Sequence, residues 1–300
     1  MRKDLFGIIL ALLAAVVSGV AIPLNKLFVV NMDPVVFTAF RAIIIGVIFL
    51  GLSLATRGFK KDQIGKNWKG LAVIAILGGA LAFVLFFSGL KLTTAGRGAF
   101  LQKTLPLYAA VFAFLILKEK ISRKQGLAML AMLAGTAIIF LTGIPAAEMW
   151  ASPTLGDALI IAATILWALE AVLAKKAMTG SCSNLLVSFS RMFFGGLILF
   201  GVVLISGKAG MLFSLSPLQI VNILVSTGVL FCYVLLWFAA LRFTEVTKAA
   251  TLLLIAPVVS LILGFFWFSE PVPLLQLAGS AVILIGAYFA ARVESLHAGV

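Results

Sequence analysis

Ten uninterrupted apolar runs divide this chain, and each is about as long as a lipid bilayer is thick. They are Leu5–Leu24, Val35–Ala55, Leu71–Leu90, Ala99–Leu117, Leu127–Thr142, Ala158–Ala174, Leu185–Ile205, Ile220–Leu241, Ala249–Phe268 and Leu274–Ala291. Crossing roughly 30 Å of hydrocarbon at 1.5 Å per residue takes about 20 residues. Lipid offers no partner to a free backbone N–H or C=O, so a span is a helix or part of a closed barrel. These runs are continuous rather than alternating, which predicts helices. The fold class expected is an all-α integral membrane protein of ten transmembrane helices.

Composition agrees. Of 300 residues, 63% are hydrophobic and 11% charged, against roughly 45–50% and about 25% in a soluble domain. The first run is read as a retained span and not a cleaved leader, because no small-x-small cleavage site leads into a polar domain and nine more spans follow. The formal net charge of +13 is a topology signal. With the N-terminus inside, 16 of the 23 Lys and Arg residues fall in inside segments, 4 in outside loops, and Arg41, Lys103 and Arg191 within spans. By the positive-inside rule both termini are expected in the cytoplasm of an inner-membrane protein. The lipid bilayer is the partner of the basic loops, and nucleic acid is not expected.

The chain also resembles itself. At an offset of 151, Gln125 falls on Gln276, Gly135 on Gly286, Glu119 on Glu270, Pro106 on Pro257, and Arg97 on Lys248. Earlier in each half the offset is 150, placing Arg41 on Arg191. Five spans per half is an odd number, so the second half enters the membrane from the opposite side. The halves form an inverted repeat, a plan in which secondary transporters hold substrate near the midplane between the repeats. The expected organisation is a first five-helix repeat at 1–143, an external linker at 144–154, a second repeat at 155–292 and a cytoplasmic tail at 293–300.

The segment Ala95–Leu133, with Leu105-Pro106, Leu117-Lys118-Glu119-Lys120 and Gln125-Gly126, and its second copy Thr247–Leu284, with Ala256-Pro257, Phe268-Ser269-Glu270 and Gln276-Leu277-Ala278-Gly279, resemble the EamA group of the drug/metabolite transporter superfamily. Pro23 with Lys26, then Pro34 and Phe40-Arg41, resemble its first two helices. The chain departs from the family pattern at Ser18-Gly19, where Trp-Gly is common, and at Glu170, where a neutral residue is common. The resemblance implies export of small metabolites such as amino acids, with helices three, four, eight and nine near the pathway.

Charges inside spans are costly and need a partner or a wet cavity. Arg41 and Arg191 match across the repeat, as do Glu119 and Glu270, and matched charges are expected to serve the shared fold. Lys103 and Glu170 are unmatched, with Leu254 and Val20 at the equivalent positions. They are read as cavity groups, or alternatively as side chains that snorkel to opposite interfaces, Glu170 towards Lys175 and Lys176. The expected substrate cavity contains Lys103, Tyr108, Trp167, Glu170, Tyr233 and Trp237. Glu170 is the candidate proton carrier, and Pro23, Pro106 and Pro257 are candidate hinges.

Chemistry of other kinds has little material. The two cysteines, Cys182 and Cys232, are far apart, and the single histidine, His297, is in the tail. No metal, cofactor or enzymatic site is expected, and no phosphate-binding loop supports ATP hydrolysis. The reading is a secondary transporter exporting a small metabolite by alternating access. A membrane enzyme acting on lipids or isoprenoids is the alternative, and would need clustered carboxylates or histidines that the chain lacks.

Overall fold

The computed structural model describes residues 2–28, 32–56, 61–143 and 154–293. Most of the linker 144–154 and the tail beyond 293 lie outside the described residues, as does His297. The described chain forms ten helices long and apolar enough to cross a membrane: α1 (Lys3–Asn25), α2 (Pro34–Ala55), α3 (Gln63–Leu90), α4 (Gly96–Leu117), α5 (Arg123–Thr142), α6 (Leu155–Gly180), α7 (Asn184–Ile205), α8 (Pro217–Phe243), α9 (Val246–Trp267) and α10 (Leu274–Arg292). An even number of crossings returns the chain to its starting side. That side is called the basic face below, and the other the opposite face.

Caps mark where the helices begin. Asp33 accepts from the N–H groups of Val35 and Val36 at 2.9 and 3.3 Å to start α2. Ser183, its repeat equivalent, accepts from Leu186 to start α7. Thr154 with Asp157, and Ser216 with Gln219, build reciprocal capping boxes on α6 and α8, each satisfying two otherwise orphaned donors. Asp33 also takes the Lys208 ammonium. Burial would raise its carboxyl, but Lys208 and the two amides outweigh that and hold it below the usual carboxylate range.

Two spans extend furthest beyond their apolar runs. Helix begins at Lys61 rather than at Leu71, so the polar stretch before α3 is mostly helix. Helix also continues from Ala174 to Gly180. Lys175 lies on the second extension, and its amine donates to the Thr244 carbonyl at the basic face at 2.9 Å. Glu170 lies ten residues, about 15 Å at 1.5 Å per residue, from the end of this helix.

Nearly all the large helix contacts join one half to the other. α1 packs on α8 and α9, and α6 packs on α3 and α4, as the inverted repeat requires; α2 packs on α7 and α5 on α10. Small residues allow the closest crossings. A Cβ on Gly135 of α5 would lie 2.6 Å from the Gly279 carbonyl oxygen of α10, and one on Gly279 would lie 2.8 Å from that of Gly135.

A matched pair of polar ties adds to this packing. At the opposite face, Asp157 accepts from the Thr93 hydroxyl at 2.7 Å and pairs with Arg97 at 2.5 Å. At the basic face, Asp4 accepts from the Thr244 hydroxyl at 2.5 Å and pairs with the fully buried Lys248 at 3.0 Å. Thr93 matches Thr244, and Arg97 matches Lys248, at the repeat offset of 151. Both ties cross between halves.

The α5–α10 crossing yields a stability prediction. Gly135→Leu forces the helices apart and should cost about 1–3 kcal/mol, as overpacking does. Gly201→Leu, at a position with open space around it, should leave stability nearly unchanged. Thermal unfolding of both variants in detergent checks this, and equal midpoints would contradict the packing argument.

Candidate functional site

Near the middle of the molecule α3 and α7 approach so closely that only glycine fits between them. A Cβ on Gly79 would lie 2.3 Å from the Arg191 carbonyl oxygen, and one on Gly195 would lie 2.6 Å from the Gly79 Cα. Both helices widen here into π-helical turns, Ala75–Leu81 and Ser190–Phe194. Such bulges release backbone groups from the regular ladder and recur at functional sites. The Gly78 carbonyl accepts from the Trp167 indole N–H at 3.2 Å.

The space left by Gly78 is filled by Glu170, whose Cγ lies only 2.2 Å from where a Gly78 Cβ would stand. Glu170 is 2% exposed. Its Oε2 sits 3.4 Å from Nε of Arg191, itself 8% exposed. The geometry is that of an ion pair rather than a hydrogen bond, and Glu170 Oε1 has no hydrogen-bond partner. The Arg191 guanidinium lies 5.9 Å from the ring centroids of both Phe83 and Phe238. Glu170 is thus placed beside Arg191, not beside Lys175 and Lys176, and Arg191 stands in a different setting from its repeat mate. Arg41 lies over the Phe37 ring at 4.6 Å and reaches Asn25 Oδ1 at 3.5 Å, the same oxygen that accepts from Ser226.

The other expected cavity residues lie on α4, α6 and α8. Trp167 is 8% exposed and packs edge-on against Phe83 at 5.2 Å. Tyr233 and Trp237 stack nearly parallel, with ring centroids 6.4 Å apart, and Tyr233 lies close enough to sense both Glu170 and Arg191. Tyr108 is half-buried against the main core. Lys103 occupies the turn that interrupts α4 after Gln102. Lys103 and Tyr233 both keep some accessible surface.

The prolines divide. Pro106 and Pro257 sit in the first turns of new helical segments, following the Lys103–Thr104 turn in α4 and the 3-10 turn Leu253–Ile255 in α9. Pro23 lies inside an unbroken helix, Arg2–Phe28.

Glu119 and Glu270 follow the same backbone pattern. Left-handed residues, Lys118 (φ 60°) and Ser269 (φ 52°), end the preceding helices. The N–H of each Glu then returns to the carbonyl of Ala113 or Gly264 at 3.2 Å. The side chains differ. Glu119 accepts from the N–H groups of Val246 and Thr247 at 3.0 and 3.3 Å, and from the Thr247 hydroxyl at 3.2 Å. It thereby caps α9, whose own N-cap residue Glu245 makes no side-chain cap bond. Glu270 is exposed, and its Oε2 lies over Gly264 of its own helix.

Glu245 lies just outside α9, buried and beside Glu119, Asp4 and Lys248. Burial first, then repulsion by Glu119, raises its pKa. An acid whose folded pKa is raised favours the folded state below its unfolded pKa and loses that contribution as pH rises through the folded value. Glu245→Gln should therefore raise the thermal midpoint at pH 8 and change it little at pH 4. A scan of unfolding against pH checks the sign.

A family model described as the EamA-like transporter family matches residues 5–141 and 154–292. Among similar proteins, the uncharacterized transporter YyaM of Bacillus subtilis is 25% identical, over 93% of this chain and 91% of its own. Protein PecM of Dickeya dadantii is 26% identical over 84% and 82%, and protein LicB of Haemophilus influenzae 24% over 96% and 98%. A solved structure described only as a crystal structure of protein superposes with a TM-score of 0.80 at 17% identity, covering 95% of this chain and 98% of that one; at that identity the likeness is one of fold. Two family matches that together span nearly the whole chain, on ten spans arranged as two inverted repeats, make this chain a member of the EamA-like transporter family.

Proposed function

We propose that the chain exports a small metabolite, such as an amino acid or a related compound, by alternating access. The observation that carries the reading is the Glu170–Arg191 pair, two charges in the membrane interior. They lie where helices of the two repeats cross. Burying two charges in a membrane span is costly, and a static fold has a cheaper solution in well-packed apolar side chains. A charge pair with an unused carboxylate oxygen suits a site that must change partners. Lys103, Tyr108, Trp167, Tyr233 and Trp237 complete the proposed cavity, with aromatic surface for an apolar portion and Lys103 for an anionic group. The basic face is the cytoplasmic one in this reading, so export runs from that face to the opposite one.

Proton coupling is proposed at the same site. A cavity that opens to each side in turn would change the solvation of the Glu170 carboxyl and let it exchange a proton, so that Glu170 couples export to proton entry.

The assay is counterflow in proteoliposomes with a panel of amino acids, nucleobases and organic cations. Accumulation of at least one panel class above empty vesicles is expected, and its absence across the panel would refute the reading. Glu170→Gln should abolish transport driven by a pH gradient while sparing downhill exchange. Unchanged gradient-driven transport removes the coupling role. Weakened apparent affinity in both modes would instead assign Glu170 to a cationic group on the substrate. For orientation, impermeant thiol labelling in intact cells should miss Lys120→Cys and reach Lys91→Cys.

A further inference from the structure

The two polar ties match across the repeat, but the junctions that carry them do not. At the opposite face the junction between α3 and α4 caps its own helix. Thr94, the N-cap residue of α4, accepts from the Arg97 N–H at 3.3 Å. At the offset of 151 the equivalent residue is Glu245. It stands at the N-cap of α9 and makes no side-chain cap bond. The amides of Val246 and Thr247 go instead to Glu119 of the other half. Lys175, whose amine donates to the Thr244 carbonyl, has the neutral Asn25 at its equivalent position. The basic face therefore carries an acid and a base that the matching junction lacks, and charges found in one half only serve an asymmetric task.

The Glu245 carboxyl is enclosed. It is 9% exposed, and its Oε2 has no hydrogen-bond partner. Gln125 of α5, 2% exposed, faces it with an amide nitrogen that also has no partner. Charged groups approach from several elements: Asp4 from α1, Glu119 from the α4–α5 connection, Lys175 from α6 and Lys248 from α9 itself. The α4 segment Leu105–Phe112, packed on Val246–Leu252, carries Tyr108 as its only ionisable side chain. Arg242 of α8 and Arg292 of α10 are exposed. Three carboxylates thus meet two ammonium groups, and both ammonium groups are engaged. Lys248 holds Asp4 at 3.0 Å and the Val293 carbonyl at 2.9 Å, and Lys175 holds Thr244. Burial, then repulsion by Glu119, favours the protonated form of Glu245.

We propose that Glu245 is a proton-binding site distinct from Glu170, which holds the basic face shut when occupied and lets it open when empty. With the proton bound, Glu245 is neutral and does not disturb the bonds from Val246 and Thr247 to Glu119. When the proton passes to water at the basic face, two carboxylates compete for the amides that begin α9. Glu119 belongs to the other half, so its displacement parts the halves there. The opposite face, with Thr94 in the equivalent place, has no such dependence. An acid whose pKa is higher in the shut form favours that form at low pH. The contribution is lost as pH rises through the shut-form value, so alkaline pH at the basic face opens it. The assignment rests on the alternating-access reading above.

The test uses full-length protein in lipid nanodiscs, with Cys182 and Cys232 replaced by alanine and nitroxide labels on Lys120→Cys and Arg242→Cys. Both positions are exposed. One adjoins Glu119 and the other precedes the α8–α9 junction, so their separation grows as the basic face opens. Pulsed dipolar spectroscopy reads the ratio of shut to open molecules. That ratio should fall about tenfold between about pH 5 and pH 8, as one group produces when its pKa differs by about one unit between two states. Glu245→Gln, a neutral mimic of the protonated acid, should stay shut throughout. Glu245→Asp, which still titrates, should keep the slope, and so should Glu170→Gln. An unchanged slope in Glu245→Gln, or no slope with Glu245 intact, would overturn the proposal. Loss of the slope in Glu170→Gln would move the proton to Glu170 and overturn it too. The labels report without substrate. Counterflow with no pH-dependent opening removes the proton site at Glu245 alone, and pH-dependent opening with no counterflow removes the transporter reading alone.

Discussion

Neither half of this protein can cover its own polar groups. Asp4 of the first half is matched by Lys248 and Thr244 of the second, and Asp157 of the second by Arg97 and Thr93 of the first. α1 lies on α8 and α9, and α6 on α3 and α4. In hydrocarbon an apolar helix surface is equally comfortable against lipid or protein, so close packing and polar contacts decide which helices associate. The interlocked arrangement puts those contacts between repeats, and it makes the boundary between the repeats the place where the molecule can hold charge in its interior.

That boundary explains why the central pair is tolerated. Glu170 on α6 and Arg191 on α7 meet only because Gly78 of α3 gives up its side-chain volume, and because π-helical turns pass through Gly78 and Arg191. Replacing any one of these three features would leave a charge buried without its counter-charge, or displace it into a helix backbone. The same neighbourhood carries the aromatic surfaces of Phe83, Trp167 and Phe238, so charge and apolar area adjoin.

Much of the architecture is legible in the chain itself. Ten apolar runs predict ten helices, and residue matching across the middle predicts the inverted repeat, because both depend on one-dimensional periodicities. The bond from Lys175 to the Thr244 carbonyl is not legible in this way, because it joins groups 69 residues apart. The pairing of Glu170 with Arg191 escapes for another reason. Repeat matching groups Arg191 with Arg41, yet the partner that separates them exists in one half only. Gly78-Gly79 within an apolar run is the available signal for a close crossing at that depth. The capping of α9 by Glu119 joins groups 127 residues apart, and no spacing rule reaches so far.

The swapped packing also sets the order in which the protein can be made. A ribosome adds about 5–20 residues each second, so α1 waits in the bilayer for on the order of 10–40 s before α8 emerges. Throughout that wait Asp4 and Asn25 lack the α8 and α9 groups that satisfy them in the finished molecule. The nascent first half is a set of inserted helices without a settled tertiary structure, and quality-control proteases of the membrane meet it in that form. Substitutions at Thr244, Lys248 or Ser226 should therefore show their effect first as shortened lifetime of new chains, before any defect in the protein that survives.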